Sequence, residues 1–183
     1  EARIDLGPGR IRLTEGPASR EIRLADLAHD AHGYVLAGEE TYDPPTEALD
    51  ENGQGAPYAV YGYGAQIAEV TVDTQLGTVR VTRMTAAHDL GRVINPLLAE
   101  GQIEGGIAQG LGMALMEEYI SGRTENLHDY LIPTTGDMPP IDIHLLECPD
   151  PEGPLGAKGL GEHALIPTAP AILNAIHHAT GAW

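Results

Sequence analysis

Between Gly101 and Gly112 the chain carries five glycines inside a run that otherwise reads as a helix. Asn95-Pro96 opens the run as helices open, with a capping side chain followed by proline in the first turn. Ile103, Ile107, Leu111 and Leu115 recur every fourth residue, so one stripe is apolar and a helix is predicted over roughly 95–119. Gln102, Gly105, Gly106, Gln109 and Gly112 fall along an adjacent face, which lacks bulk and carries two amides. Each interior glycine costs about 1 kcal/mol relative to alanine, so something must offset the sum. Either another helix packs backbone to backbone here, or a ligand lies on the bare face with the amides as hydrogen-bonding arms. The sequence leaves both open.

A second glycine-rich stretch runs Gly156-Ala157-Lys158-Gly159-Leu160-Gly161-Glu162. Its three glycines permit close approach by another molecule. Glu162 stands where the loop hands over to the apolar residues Ala164, Leu165 and Ile166. A carboxylate presented this way is suited to general-base work. The same stretch also reads as a turn that ends in a solvated glutamate, since a lone glycine-rich loop is a weak signal.

The chain has 183 residues, enough for one domain or two small ones with a core. Hydrophobic residues make up 42%, which excludes a disordered chain, and phenylalanine is absent, so aliphatic side chains must fill the interior. The net charge of -17 argues against nucleic acid and anionic membranes as partners. Cys148 is the single cysteine, so an internal disulfide and any cysteine-based iron–sulfur or zinc cluster within the chain are excluded. No apolar run approaches the ~20 residues of a membrane-spanning helix, and no signal peptide is visible, which gives the expectation of a cytoplasmic chain, with periplasmic export through a partner subunit left open. The sequence starts at Glu1 instead of Met, which suggests a processed chain or a piece of something longer.

Along the chain, Ile4 to Leu13 reads as one or two short strands broken by Gly7-Pro8-Gly9. Ile22 to Ala31 carries Leu24, Leu27, Ala28 and Ala31 at helical spacing and reads as a helix ended by Gly33. Glu39 to Pro57 is rich in Asp, Glu, Pro and Gly, as a linker would be. Residues 66–73 and 78–84 alternate polar and apolar side chains around Gln75-Leu76-Gly77, a hairpin signature. A short strand is expected over Ile141 to Leu146 and a closing helix over Thr168 to Ala179. Strand pairs and helices without regular βαβ alternation suggest an α+β fold.

The eight histidines show no zinc-site spacing; His177-His178 read as surface residues. Asp89-Leu90-Gly91-Arg92 reads as a strand-end turn whose job is to position the Asn95 helix.

Five ordered motifs then combine. They are Tyr61-Gly62-Tyr63-Gly64-Ala65 with the hairpin that follows; Asp89-Leu90-Gly91 with Asn95-Pro96; Gly101-Gln102-Ile103-Glu104-Gly105-Gly106 with Gln109-Gly110-Leu111-Gly112; Asp129-Tyr130-Leu131-Ile132-Pro133; and the Gly156–Glu162 loop. Together they resemble the C-terminal half of the molybdenum-cofactor-binding subunit of the xanthine dehydrogenase/aldehyde oxidoreductase family of molybdenum hydroxylases. The resemblance runs from Tyr58 to Gly181. It implies a C-terminal molybdenum-cofactor-binding domain over residues 58–183, in which antiparallel strand pairs pack with helices. Residues 1–57 match more loosely, as an upstream strand-and-helix region and linker.

The resemblance further implies a molybdopterin-type cofactor, in its plain or cytosine dinucleotide form, whose metal is held by the pterin and not by side chains. Glu162 would be the catalytic base, and Gln102 would hydrogen-bond the pterin. Gly101, Gly105 and Gly106 on the helix, with Gly159 and Gly161 in the loop, would permit close approach of the cofactor. Lys158 takes no role beyond shaping its loop. The implied reaction oxidises an aldehyde or N-heteroaromatic small molecule with water as oxygen source. The implied partners are the remaining half of the subunit, an iron–sulfur subunit and a flavin subunit carrying FAD, so the chain alone would be inactive. Two other readings stay open at this point: a non-catalytic domain acting only in assembly, and a metal-independent hydrolase using the Glu162 carboxylate.

Overall fold

A computed structural model describes residues 2–182. The chain divides between Asp43 and Pro44 into two compact units.

The first unit is an antiparallel meander of β1 (Arg3–Gly7), β2 (Arg10–Glu15) and β3 (Ala18–Arg23). Gly9 and Gly16 turn the chain with positive φ, at 68° and 56°. Here the expected helix over Ile22 to Ala31 is overturned: Ile22 lies in β3, and only a short 3-10 turn, Leu24–Asp26, follows. Cross-strand pairing explains the outcome. Ile22 faces Ile11 in register, and the Glu21 carboxylate takes both Arg10 and Arg12 from β2. Arg23 clamps Asp26 with two hydrogen bonds, which holds the tight turn. Residues 39–57 contain neither helix nor strand.

The second unit is built on a mixed sheet, ordered β4 (Gly64–Asp73), β5 (Thr78–Asp89), β6 (Ile141–Leu146). β4 and β5 form the expected antiparallel hairpin, longer than the alternation alone indicated. Its turn is fixed by Asp73, whose carboxylate accepts from the Gln75 and Leu76 amides, and by Gly77 at φ 69°. β6 pairs parallel to β5 across a helical crossover, a feature the α+β reading did not single out.

Within β5 the pairing passes from Arg83 to Val81 and leaves Thr82 unpaired as a bulge. The extra residue flips the side-chain parity of the strand. Val79 and Val81 face inward before it, and Met84, Ala86 and His88 face inward after it. That shift is what buries His88.

The predicted long helix is α1 (Pro96–Leu115), with the Asn95 side chain accepting from the Leu98 amide as its cap. Ile103, Ile107 and Leu111 are buried against Val81, Met84 and Ala86 of β5, and Leu115 is half-buried beside them. The closing helix is α2 (Thr168–Thr180), stopped by Gly181 at φ 75°. Ile172 joins the core, Ala175 and Ile176 are half-buried, and Ala179 is exposed. At about 25 cal/mol per Å² of apolar surface removed from water, this aliphatic core is the main stabilising element of the unit.

Candidate functional site

The five glycines of α1 divide into two sets. Gly106, Gly110 and Gly112 are buried. A Cβ at Gly106 would come within 2.9 Å of the Ala164 side chain and 3.0 Å of the Leu165 amide nitrogen. One at Gly110 would enter the Thr168 side chain, and one at Gly112 would meet Glu117 and Pro133. These three offset their helix penalty by close packing. Gly106, which the resemblance enlisted for the cofactor, therefore packs against protein in this structure.

Gly101 and Gly105 are exposed, and no described atom lies within 4 Å of a Cβ built at either. Gln102 is exposed beside them, and Leu97 and Leu98 expose large apolar side chains one turn earlier. The N-terminal half of α1 thus presents a bulk-free surface with an amide and apolar neighbours.

The segment that follows the Gly156–Glu162 loop meets this helix. Ala164 is fully buried against Gly106, so Glu162 stands two residues from the contact and Gln102 one helical turn from it. Gly159 and Gly161 are exposed, again with no described atom within 4 Å of a built Cβ. Glu162 itself is exposed although apolar residues follow it in sequence, and its backbone carbonyl accepts from the Leu165 amide.

The start of the loop is pinned. The Lys158 ammonium donates to the Asp89 carboxylate at 2.5 Å, with both side chains nearly buried, and to the Tyr61 carbonyl at 3.3 Å. The other Asp89 oxygen accepts from the Gly91 amide at 2.9 Å and the Cys148 amide at 3.3 Å. Burial pushes the Asp89 carboxyl up, but the Lys158 ammonium and the Gly91 amide outweigh it and hold it below the usual carboxylate range. The Asp89 carboxylate raises the Lys158 pKa in turn. Asp89 therefore holds this loop and the strand ends, where the sequence had it positioning the helix.

Beside this pair lies a polar cluster that sequence reasoning missed. His88, fully buried, and His163 stand with ring centroids 5.1 Å apart. Gln66 reaches His88 Nε2 at 3.2 Å and donates to the Ala164 carbonyl at 2.8 Å, while the Thr168 hydroxyl donates to Gln66 Oε1 at 2.7 Å. Burial lowers the pKa of both imidazoles; His163 opposes charge on His88, whereas the Gly159 backbone and Asp89 partly offset the effect on His163. Both shifts favour the neutral ring. Gly62 and Gly64 of the Tyr-Gly-Tyr-Gly motif lie against the His163 and His88 rings; a Cβ would sit tightly at 3.1 Å in the first case and collide at 2.5 Å in the second. The only available sequence signal was that glycine pair. Tyr130, from the fourth motif, donates a short hydrogen bond to Glu117 at the end of α1.

The profile of the molybdopterin cofactor-binding domain family matches residues 1–139. The chain belongs to that family. This molybdopterin-binding domain is 38% identical over 184 residues to a putative xanthine dehydrogenase molybdenum-binding subunit of Escherichia coli, covering 97% of the chain and 24% of that protein. It is 40% identical over 151 residues to an aldehyde oxidoreductase of Megalodesulfovibrio gigas, covering 80% of the chain and 16% of that protein. The solved aldehyde oxidoreductase of Desulfovibrio desulfuricans superposes with a TM-score of 0.73 at 39% identity, over 75% of this chain and 16% of that one. The molybdopterin-binding domain thus spans a quarter or less of these relatives' length.

The donor set suits such a cofactor. What the domain offers is open space at glycines 101, 105, 159 and 161, with the exposed Gln102 amide beside the first two. A carboxamide offers the donor and acceptor that a fused heterocycle recognises, whereas the Gly101 and Gly105 amides are already paired inside α1 and contribute only room.

Proposed function

We propose that this domain supplies one wall of the pterin pocket and the general base of a molybdenum hydroxylase acting on an aldehyde or an N-heteroaromatic compound. The observation that supports it is the junction at Gly106 and Ala164, which brings two bulk-free surfaces together, one carrying Gln102 and the other Glu162. The relatives named above include an aldehyde oxidoreductase and a xanthine dehydrogenase subunit. When bound, the molybdenum cofactor supplies the two-electron oxidant and the site at which water-derived oxygen is delivered.

The work of this chain is to bind and to move a proton. The Gln102 carboxamide offers a donor and an acceptor to the pterin edge, and glycine at 101 and 105 lets that edge approach the helix backbone. Gly159 and Gly161 leave the same freedom on the loop side. Glu162 accepts, on a carboxylate oxygen, the proton released as oxygen adds to the electron-poor carbon of the substrate. The remaining part of the subunit closes the pocket, and iron–sulfur and flavin partners carry the electrons away.

Glu162→Gln in the assembled enzyme tests the assignment. Glutamine keeps the shape but cannot take a proton at neutral pH. Molybdenum and pterin content should be unchanged. Anaerobic bleaching of the iron–sulfur chromophores by substrate should slow by roughly 10²–10⁴-fold, the range that general-base assistance contributes. Reduction by dithionite should proceed as before. Bleaching by substrate at the parent rate would remove Glu162 from the mechanism.

A further inference from the structure

We propose that the Asp89–Lys158 ion pair is a positioning device for the loop that presents Glu162, setting the geometry of the base as well as holding the fold. The proposal rests on Glu162 being that base. Lys158 is the last residue of the loop tied on every side. Its amide donates to the Leu90 carbonyl at 2.8 Å, and its ammonium reaches Asp89 at 2.5 Å and the Tyr61 carbonyl at 3.3 Å. The residues before it are fixed as well. The Gly156 carbonyl accepts from the Arg92 and Asp150 amides, and Ala157 bridges to Gly91.

After Lys158 the ties are fewer and carry no ion pair. Gly159 and Gly161 have open space where a side chain would stand, the Gly159 backbone meets the His163 ring, Leu160 packs against the core, and Ala164 is fully buried against Gly106. Glu162 is exposed within this span, four residues after Lys158 and two before Ala164, with its carbonyl accepting from the Leu165 amide. Glycines on either side of Leu160 leave the backbone free to turn, so the location of the carboxylate follows from these contacts together, and the Lys158 pair is the upstream one.

The chemistry of the upstream anchor is informative. A buried ion pair contributes little net stability, because desolvation offsets the attraction, whereas its directional contacts hold a register. Asp89 uses both oxygens for this. One grips Lys158; the other grips the Gly91 amide at the end of β5 and the Cys148 amide just beyond β6. A single carboxylate thus joins the ends of two parallel strands to the loop, and Lys158 adds the Tyr61–Tyr63 segment through the Tyr61 carbonyl and a position 5.8 Å from the centre of the Tyr63 ring.

The test uses the assembled enzyme with the neutral pair Asp89→Asn plus Lys158→Met, which leaves neither charge buried alone. Three readouts are taken: thermal stability with molybdenum content, amide hydrogen exchange of peptides spanning residues 156–163, and kcat and KM on benzaldehyde or xanthine, whichever is turned over. The expected result is near-parent stability and molybdenum content, faster exchange confined to residues 159–162, and kcat lowered by about 10²-fold, as a misplacement on the order of 1 Å produces, with KM held. Unchanged exchange overturns the proposal. So does faster exchange with parent kcat in an enzyme that Glu162→Gln inactivates. If Glu162→Gln is fully active, it is the base assignment that has failed, and the exchange result still reports whether the pair orders the loop. Should the neutral pair not assemble, Lys158→Arg, which keeps the charge but replaces a compact ammonium by a planar fork, is read by the same criteria.

Discussion

Gln102 is one residue from Ile103, which is fully buried, yet its own side chain lies in the open beside two glycines. Replacing it by alanine therefore leaves the core stripe of α1 intact and removes only what the amide does outside. If the amide binds pterin, Gln102→Ala in the assembled enzyme should weaken cofactor retention by about 1–3 kcal/mol, the cost of an unmade hydrogen bond to a buried polar group. Molybdenum content after gel filtration checks this, with an unchanged melting temperature as the control; full retention would detach Gln102 from the pocket. Gln102 and Glu162 could be nominated from the sequence because each sits within a short contiguous motif. Asp89 and Lys158 were not legible as a pair, since 69 residues separate them and nothing local to either announces the other. His88 escaped for a different reason: its burial depends on the bulge at Thr82, which reverses the parity of every later residue in β5.

For the elements, the two glycine sets of α1 make opposite predictions. Gly110→Ala places a methyl group inside the Thr168 side chain, so overpacking of about 1–3 kcal/mol should outweigh the ~1 kcal/mol of helix propensity gained. Gly105→Ala meets open space, so only the propensity gain applies and the melting temperature should rise. The same methyl group would stand on the proposed pterin face, so molybdenum retention should fall as stability rises. Thermal melts with metal analysis on the two variants check both arms; a stabilised Gly105→Ala enzyme with full molybdenum content would mean that the face is not a cofactor surface. The sequence had posed packing and ligand as alternatives for this helix. Packing explains Gly106, Gly110 and Gly112, and Gly101 and Gly105 remain available for a ligand. Long periodic elements and strongly punctuated ones were legible, α1 and β6 among them. The segment from Ile22 to Ala31 was not, because its helical spacing competes with cross-strand partners that become apparent only when β2 is placed beside β3. The parallel pairing of β6 with β5 was hidden likewise, being decided by the crossover and not by the strand's own six residues.

At the scale of the whole molecule, the relatives exceed this chain at least fourfold in length, and its surface carries several exposed large apolar side chains. Leu97, Leu98 and Met113 on α1 are each at least 60% exposed, as are Tyr63 and Tyr119 near its two flanking segments. One cysteine cannot ligate an iron–sulfur cluster, which takes four thiolates or a mixed set with histidine. Electrons removed from a substrate would therefore have no cluster within this chain to receive them, and a cofactor resting on the α1 face would be walled on one side only. The 183-residue polypeptide purified by itself should consequently carry little molybdenum and show no dye-linked oxidation of benzaldehyde or xanthine. Co-expression with the rest of the subunit and the iron–sulfur and flavin partners should restore both, because a pocket closed on all sides removes the cofactor from water, where each hydrogen bond to it competes with solvent and contributes only about 0.5–1.5 kcal/mol. Metal analysis and anaerobic dye reduction on the two preparations make the comparison. Stoichiometric molybdenum with turnover in the isolated polypeptide would show that this domain binds the cofactor unaided, and the one-wall account of the pocket would fall with it.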